Sequence, residues 1–213
     1  MSYITHLNWF KSTLSNKALV ERLKNISFVI TDVDGSLTDG TVHFDADGEG
    51  DRMYSPQDGY AIRLAIESNI QVAFLSGNAG ASIVSRARKL RIPDELIVLG
   101  AKDKRVSVQK LQSITGFTSK QTLVFGDDCL DAAVKEADSD IFFAMPSNGI
   151  FYLQPIADCV SPANAGAGSA LRHILDLILY VQGKHIAQHL IQKALETSYE
   201  KKGTDSYSFA SAA

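Results

Sequence analysis

The chain is poor in cysteine, with only Cys129 and Cys159 among 213 residues. Two thiols cannot build a disulfide framework, and a reducing compartment is the simpler reading. It also lacks a basic excess: 21 Lys and Arg stand against 24 Asp and Glu, a formal net charge of -3. With no basic stripe, nucleic acid is not an expected partner. No apolar run approaches the roughly 20 residues that cross a bilayer. Residues 1–10 lack the charged start and apolar run of a signal peptide. A cytoplasmic protein with no membrane attachment is therefore expected. Internal repeats and long low-complexity segments are absent too. What remains is globular material: 45% hydrophobic residues and a length that suits one domain with a full-sized core.

Residues 1–24 carry apolar positions at Leu14, Ala18, Leu19 and Leu23, which reads as a short helical extension outside the core. Residues 26–30 form a β-branched apolar run of the kind that makes a buried strand, and 72–75, 96–99, 122–125 and 141–144 resemble it. Between these runs, 58–68, 79–90, 103–114 and 130–137 carry apolar side chains at spacings of three and four. Such alternation predicts a Rossmann-like, doubly wound α/β fold, with a mainly parallel sheet and helices on both faces. One segment breaks the pattern. Residues 41–54 hold two short extended pieces around Asp47-Gly48, a hairpin signal after the first strand, too short to be a cap domain. Residues 169–182 read as an amphipathic helix. The main domain spans 25–185; 186–213 reads as a helix followed by a polar, small-residue tail (201–213) expected to be disordered.

In open α/β sheets, ligands bind beyond the carboxyl ends of the strands. The first strand is followed by Asp32-Val33-Asp34-Gly35-Ser36-Leu37-Thr38-Asp39-Gly40, the second by Ser76-Gly77-Asn78, the third by Lys102-Asp103-Lys104, and the fourth by Gly126-Asp127-Asp128-Cys129-Leu130-Asp131. Clustered carboxylates repel unless a cation binds them, and hard oxygen ligands favour Mg²⁺. An aspartate can attack phosphorus. A second carboxylate two residues on can protonate the leaving oxygen and then activate water. A hydroxyl and an ammonium group can hold the phosphoryl oxygens. Each piece alone has a plainer reading: Asp103 or Asp131 as a helix N-cap, Ser76-Gly77 as a turn, Lys104 as a solvated side chain. Four together, in order, each at a strand end, point to phosphoryl transfer.

These four segments resemble motifs I to IV of the haloacid dehalogenase superfamily. Within it the chain is similar to the capless branch that includes 3-deoxy-D-manno-octulosonate 8-phosphate phosphatases. The similarity runs from about residue 26 to 185. It takes in the hairpin, Gln57-Asp58-Gly59-Tyr60-Ala61-Ile62-Arg63, the loop 100–104 and the segment 171–185. The resemblance implies a Mg²⁺-dependent sugar phosphatase. Asp32 would be nucleophile and metal ligand, and Asp34 general acid/base with its backbone carbonyl on the metal. Asp127 would be the third ligand, and Ser76 and Lys104 the phosphate grip. It puts Asp128 and Asp131 behind the metal's waters or Lys104. Asp58, Gly59, Arg63, Asn78, Arg86 and Lys104 fall to the substrate. It also implies a homotetramer whose hairpins pack together, and a place in lipopolysaccharide biosynthesis.

Three positions depart from that pattern. Asn78 stands where the branch usually has Arg, Gln57 stands where Arg usually precedes Asp-Gly, and Gly166-Ala167-Gly168-Ser169 lacks the arginine of the usual Gly-Gly-Arg-Gly. These departures admit a nine-carbon acid sugar phosphate or another phosphosugar as substrate. A non-catalytic binding protein on the same fold is the alternative of another class. His43 reads as a surface or interface residue, Cys129 as a packed thiol, and Lys201-Lys202 as a solvated end; no His shows metal spacing.

Overall fold

The computed structural model describes residues 3–44, 46 and 50–196. Two N-terminal helices, α1 (Tyr3–Ser15) and α2 (Lys17–Asn25), are followed by β1 (Phe28–Thr31) and the hairpin strands β2 (His43–Phe44) and β3 (Gly50–Asp51). Then come α3 (Pro56–Glu67), β4 (Gln71–Leu75), α4 (Ala81–Lys89), β5 (Ile97–Val98), α5 (Lys104–Thr115), β6 (Thr122–Phe125), α6 (Cys129–Ala137), β7 (Phe142–Met145), β8 (Cys159–Val160), α7 (Ala170–Val181) and α8 (Gln188–Glu196). The large sheet has the order β5-β4-β1-β6-β7-β8, and every neighbouring pair is parallel. All four residues of β1, β6 and β7 are buried, as strands covered on both faces must be. Helix α3 packs on α7 and α5 on α6, so the sheet is layered by helices.

Local signals set the helix ends. Ser55 caps α3 by accepting from Gln57 N–H, with Pro56 in the first turn. Gly116 closes α5 in the left-handed region, at φ 77°. Helix α7 carries the strongest apolar face, burying Leu171, Ile174, Leu175, Leu177, Ile178 and Leu179.

The N-terminal extension is two helices, because Asn16 ends the first and caps the second through Leu19 N–H. Its apolar side joins the core, with Leu23 fully buried. Trp9 donates its indole N–H to the Val160 carbonyl (2.8 Å), and His6 stacks on His173 of α7. Beneath α2, Asp158 accepts from both Arg22 and Lys135 Nζ (2.9 Å), and both cations also reach the Ile141 carbonyl. The hairpin pairs His43 with Asp51 and Phe44 with Gly50. Its turn at Asp47-Gly48 and the tail 201–213 lie outside the described residues. Strand β8 and the split of the extension are additions to the sequence reading.

Candidate active site

Strand order reverses at β1, whose neighbours are β4 on one side and β6 on the other. A crevice opens at such a switch point, beyond the carboxyl ends. Asp32 follows β1 directly and keeps the ladder going one residue further, its N–H on the Phe125 carbonyl (2.8 Å). The chain then turns tightly: the Val33 carbonyl receives the N–H groups of Ser36, Leu37 and Thr38. Gly35, at φ 89°, brings this turn against Asp127 after β6. A Cβ at Gly35 would lie 2.3 Å from Asp127 Oδ2, so only glycine permits the approach. Ser36 Oγ donates to Asp127 Oδ1 (2.9 Å).

Lys104 opens α5, behind the N-cap Asp103. Its buried Nζ bridges Asp32 Oδ1 and Asp131 Oδ1, both at 2.7 Å. Asp131 is also part of the capping box of α6, its Oδ2 facing Asp128 N–H (3.4 Å). Asp128 caps Cys129 N–H (2.6 Å). Gly126 sits so close that a Cβ there would fall 2.0 Å from Asp131 Cγ. Asp103 has the plain N-cap role and pairs with Arg105.

Oxygens of Asp32, Asp127 and Asp131 all lie within 4.8 Å of one another. Three carboxylates thus face one ammonium group. Burial pushes the Asp32 carboxyl up to about 8, with the Asp131 charge adding and Lys104 opposing. Burial raises Asp127 to about 6 against the Ser36 hydrogen bond, and burial raises Asp131 as well. For Lys104 burial works downward, but the charges of Asp131 and Asp32 outweigh it and its pKa is raised. A buried, oxygen-only, electron-rich set of this kind fits a small hard dication such as Mg²⁺.

Ser76, after β4, is buried; its hydroxyl accepts Asn78 N–H (3.0 Å) and its carbonyl accepts Ala101 N–H (3.0 Å). This ties the Ser76 turn to the loop that leads into Lys104. The Asp34 carboxylate lies apart from the cluster. It accepts from Arg52 Nε (2.5 Å), Arg52 Nη2 (3.1 Å) and Asn78 Nδ2 (2.6 Å). Burial would raise its pKa, yet the hydrogen bonds from Arg52 and Asn78 hold it below the usual range.

No family model matches the chain. Among curated proteins, the 3-deoxy-D-manno-octulosonate 8-phosphate phosphatase KdsC of Haemophilus influenzae is 37% identical over 164 residues, covering 77% of this chain and 88% of that protein. This chain belongs to the KdsC phosphatases of the haloacid dehalogenase superfamily. Solved structures agree. A haloacid dehalogenase subfamily III A hydrolase from Legionella pneumophila superposes with TM-score 0.75 at 29% identity, covering 86% of this chain and 97% of that one. The Moraxella catarrhalis phosphatase, solved with a magnesium ion, a phosphate ion and a KDO molecule, gives TM-score 0.75 at 26% identity, covering 82% of this chain and 98% of that one. The KdsC fold therefore holds magnesium in a relative, and the Asp32, Asp127 and Asp131 cluster fits the same ion here.

The remaining expected residues divide. Asp58 is buried at the start of α3, with Oδ1 on Arg172 N–H (2.8 Å) and Oδ2 without a partner among the described residues. Burial pushes its pKa up to about 7, against the Arg172 N–H and the Arg86 charge. Gly59 makes room for Arg86, which would stand 2.3 Å from a Cβ there. Arg86 reaches the Ser55 carbonyl (3.0 Å) and lies over the Tyr54 ring. Arg63 joins none of this; its partner is Glu67, one turn along α3 (3.3 Å). Arg52, Ser36 and Ser82 also belong to the site's network: Arg52 and Ser82 lie outside every motif, and Ser36 lies in the first but had no role assigned. A cavity of about 510 Å³ adjoins Asp39, Tyr54, Ser55, Gln57 and the 166–169 turn. One of about 500 Å³ at the amino end of β4, lined by Gln71, Arg91, Glu95 and Phe117, is lined by none of Asp32, Asp127 and Asp131. Charge, not volume, locates the site. No helix among the described residues is long and apolar enough to cross a membrane.

Proposed function

We propose that the chain hydrolyses 3-deoxy-D-manno-octulosonate 8-phosphate with Mg²⁺, through an aspartyl-phosphate on Asp32. The observation that carries this reading is the convergence of Asp32, Asp127 and Asp131 around Lys104 in a KdsC-family chain. The carboxylates of Asp32 and Asp127 and the Asp34 carbonyl would hold the metal, with Asp131 and Asp128 behind them. When bound, the ion offsets the charge of the carboxylates and of the substrate phosphate. Asp32 attacks phosphorus while Asp34 gives a proton to the departing ester oxygen. Water then attacks phosphorus, Asp34 takes its proton, and Asp32 is regenerated. Ser76 Oγ and Lys104 Nζ hold the phosphoryl oxygens as charge builds on them.

The sugar would lie toward Asp58, Gly59, Asn78 and Arg86, beside the cavity next to Asp39. A second reading, a nine-carbon acid sugar phosphate or another phosphosugar, is favoured by the missing arginines at Gln57, Asn78 and 166–169. Asn78 spends its amide on Asp34, and the loss of a charge-assisted contact costs about 1.5–3 kcal/mol. Arg63, engaged with Glu67, is a poor replacement within one subunit. Domain limits of 25–185 for the catalytic unit, a cytoplasmic setting and a role in lipopolysaccharide biosynthesis go with this reading. So does a homotetramer, supported by the exposed Phe44 of the hairpin and Met53 beyond it; light scattering at the 23.1 kDa monomer mass would count against it.

The test is phosphate release from acidic and neutral sugar phosphates of matched length, with Mg²⁺ and with chelator. A preference of about 10³-fold for the eight-carbon acid in kcat/KM supports the first reading. An equal rate on neutral sugars supports the second. Release that persists in chelator sinks the metal-dependent mechanism.

A further inference from the structure

Arg52 follows β3, and its side chain is 3% exposed. Every nitrogen of its guanidinium is engaged. Nε and Nη2 hold the two oxygens of Asp34, and Nη1 donates to the Gly50 carbonyl (3.1 Å) and to Ser82 Oγ (3.1 Å). Ser82 Oγ itself returns to the Gly50 carbonyl (3.0 Å). The packing is close: a Cβ at Gly80 would lie 2.8 Å from Nη1. One side chain thus joins the turn after β1, the hairpin and the start of α4.

The geometry at Asp34 has a chemical consequence. An ionised carboxylate offers about four lone-pair sites, two on each oxygen. Arg52 Nη2 and Asn78 Nδ2 fill both sites of Oδ2, and Arg52 Nε takes one of Oδ1. Among the described residues, one site on Oδ1 remains. Guanidinium can only donate, and so does the Asn78 amide nitrogen, so the arrangement favours the ionised form of Asp34, which accepts. An acceptor is what the second half of the reaction needs, and a bidentate arginine fixes its direction.

We infer that Arg52 is a positioning residue for hydrolysis of the aspartyl-phosphate, aiming the free lone pair of Asp34 Oδ1 at the attacking water. The inference rests on the phosphatase reading above. In this step the water oxygen bonds to phosphorus and the bond from phosphorus to the Asp32 oxygen breaks. The electron pair returns to the Asp32 carboxylate, the water proton passes to Asp34, and inorganic phosphate leaves. The hairpin enters through Gly50, whose carbonyl holds Nη1.

The experiment uses the full chain with Mg²⁺ and p-nitrophenyl phosphate, whose leaving group departs without a proton. In Arg52→Met, kcat falls on the order of 10²-fold and KM falls with it, leaving kcat/KM nearly unchanged. Mixing gives a burst of one nitrophenolate per subunit, and acid quench traps phosphate on Asp32. Arg52→Lys keeps the charge without the fork and recovers part of kcat. A merely structural role would lower kcat/KM as much as kcat and give no burst, and that result overturns the inference. Should Arg52→Met fail to fold, Arg52→Lys carries the same decision: a burst with unchanged kcat/KM supports the clamp, and a fall in kcat/KM without one rejects it. A wild-type protein that releases phosphate from no ester would instead defeat the phosphatase reading.

Discussion

Two clusters of charge lie at opposite ends of the same sheet. At the amino ends of β7 and β8, Asp158 meets Arg22 and Lys135; at the carboxyl ends of β1 and β6, Asp32, Asp127 and Asp131 meet Lys104. The first is closed. Asp158 Oδ2 also takes Phe143 N–H (2.9 Å), and the spare donors of the two cations end on the carbonyls of Ser139, Asp140 and Ile141. The second is open, with three carboxylates to one ammonium group and carboxyl pKa values driven upward. A closed set holds elements together, since its carboxylate is answered on both oxygens by donors within the chain. An open set costs stability by itself and is completed by something bound.

The largest test of this contrast is Asp32→Asn. Turnover should fall on the order of 10⁴-fold or more, because the amide cannot attack phosphorus. The melting temperature of the metal-free protein should hold or rise, since one of three crowded charges is gone. A large drop in stability would mean that the cluster is structural after all.

Metal and pH come next. Asp32 and Asp127 have folded-state values of about 8 and about 6, above the ordinary 3.8. A raised acid contributes stability below its unfolded pKa and loses it as pH climbs toward the folded one. The metal-free protein should therefore lose stability between pH 4 and pH 8. Mg²⁺ should reverse this, adding about 2.7 kcal/mol at a hundredfold excess over its Kd. Denaturant melts with and without chelator check both; a metal-free stability that rises across this window refutes the open-cluster account.

Asp158→Asn should show the reverse pattern to Asp32→Asn. Hydrogen bonds to a charged group are lost, about 2 kcal/mol of stability, while kcat per folded molecule stays put. Lost activity at full stability would break the distinction between the two ends. The smallest effect is Ser36→Ala, which removes the hydrogen bond that orients Asp127. Metal affinity should fall roughly fivefold, from about 1 kcal/mol. Calorimetric titration with Mg²⁺ reads it.

Much of the fold was legible because both-face burial leaves an unbroken apolar run in sequence, as in β1, β6 and β7. β8 escaped because two residues, Cys159 and Val160, make no run. The split of the extension had a local signal in Asn16, a cap whose side chain answers Leu19 N–H. Arg63 shows what the motif resemblance left to the tertiary structure. It stands five residues from Asp58, about 140° around the helix, so the two lie on different faces of α3, and within the subunit Arg63 pairs with Glu67.

Local sequence sets the strand ends and the residues stationed there: Asp32, Ser76, Lys104 and Asp127 each follow a buried strand or open a helix, and backbone geometry leaves them at the sheet's carboxyl edge. Their pairing arises from long-range packing alone. Whether Lys104 spans Asp32 and Asp131, or Arg52 leaves the hairpin to hold Asp34, depends on side chains from segments 18 to 72 residues apart meeting in space. Local periodicity carries no information about such meetings, because they depend on how sheet order and crossovers bring distant segments together.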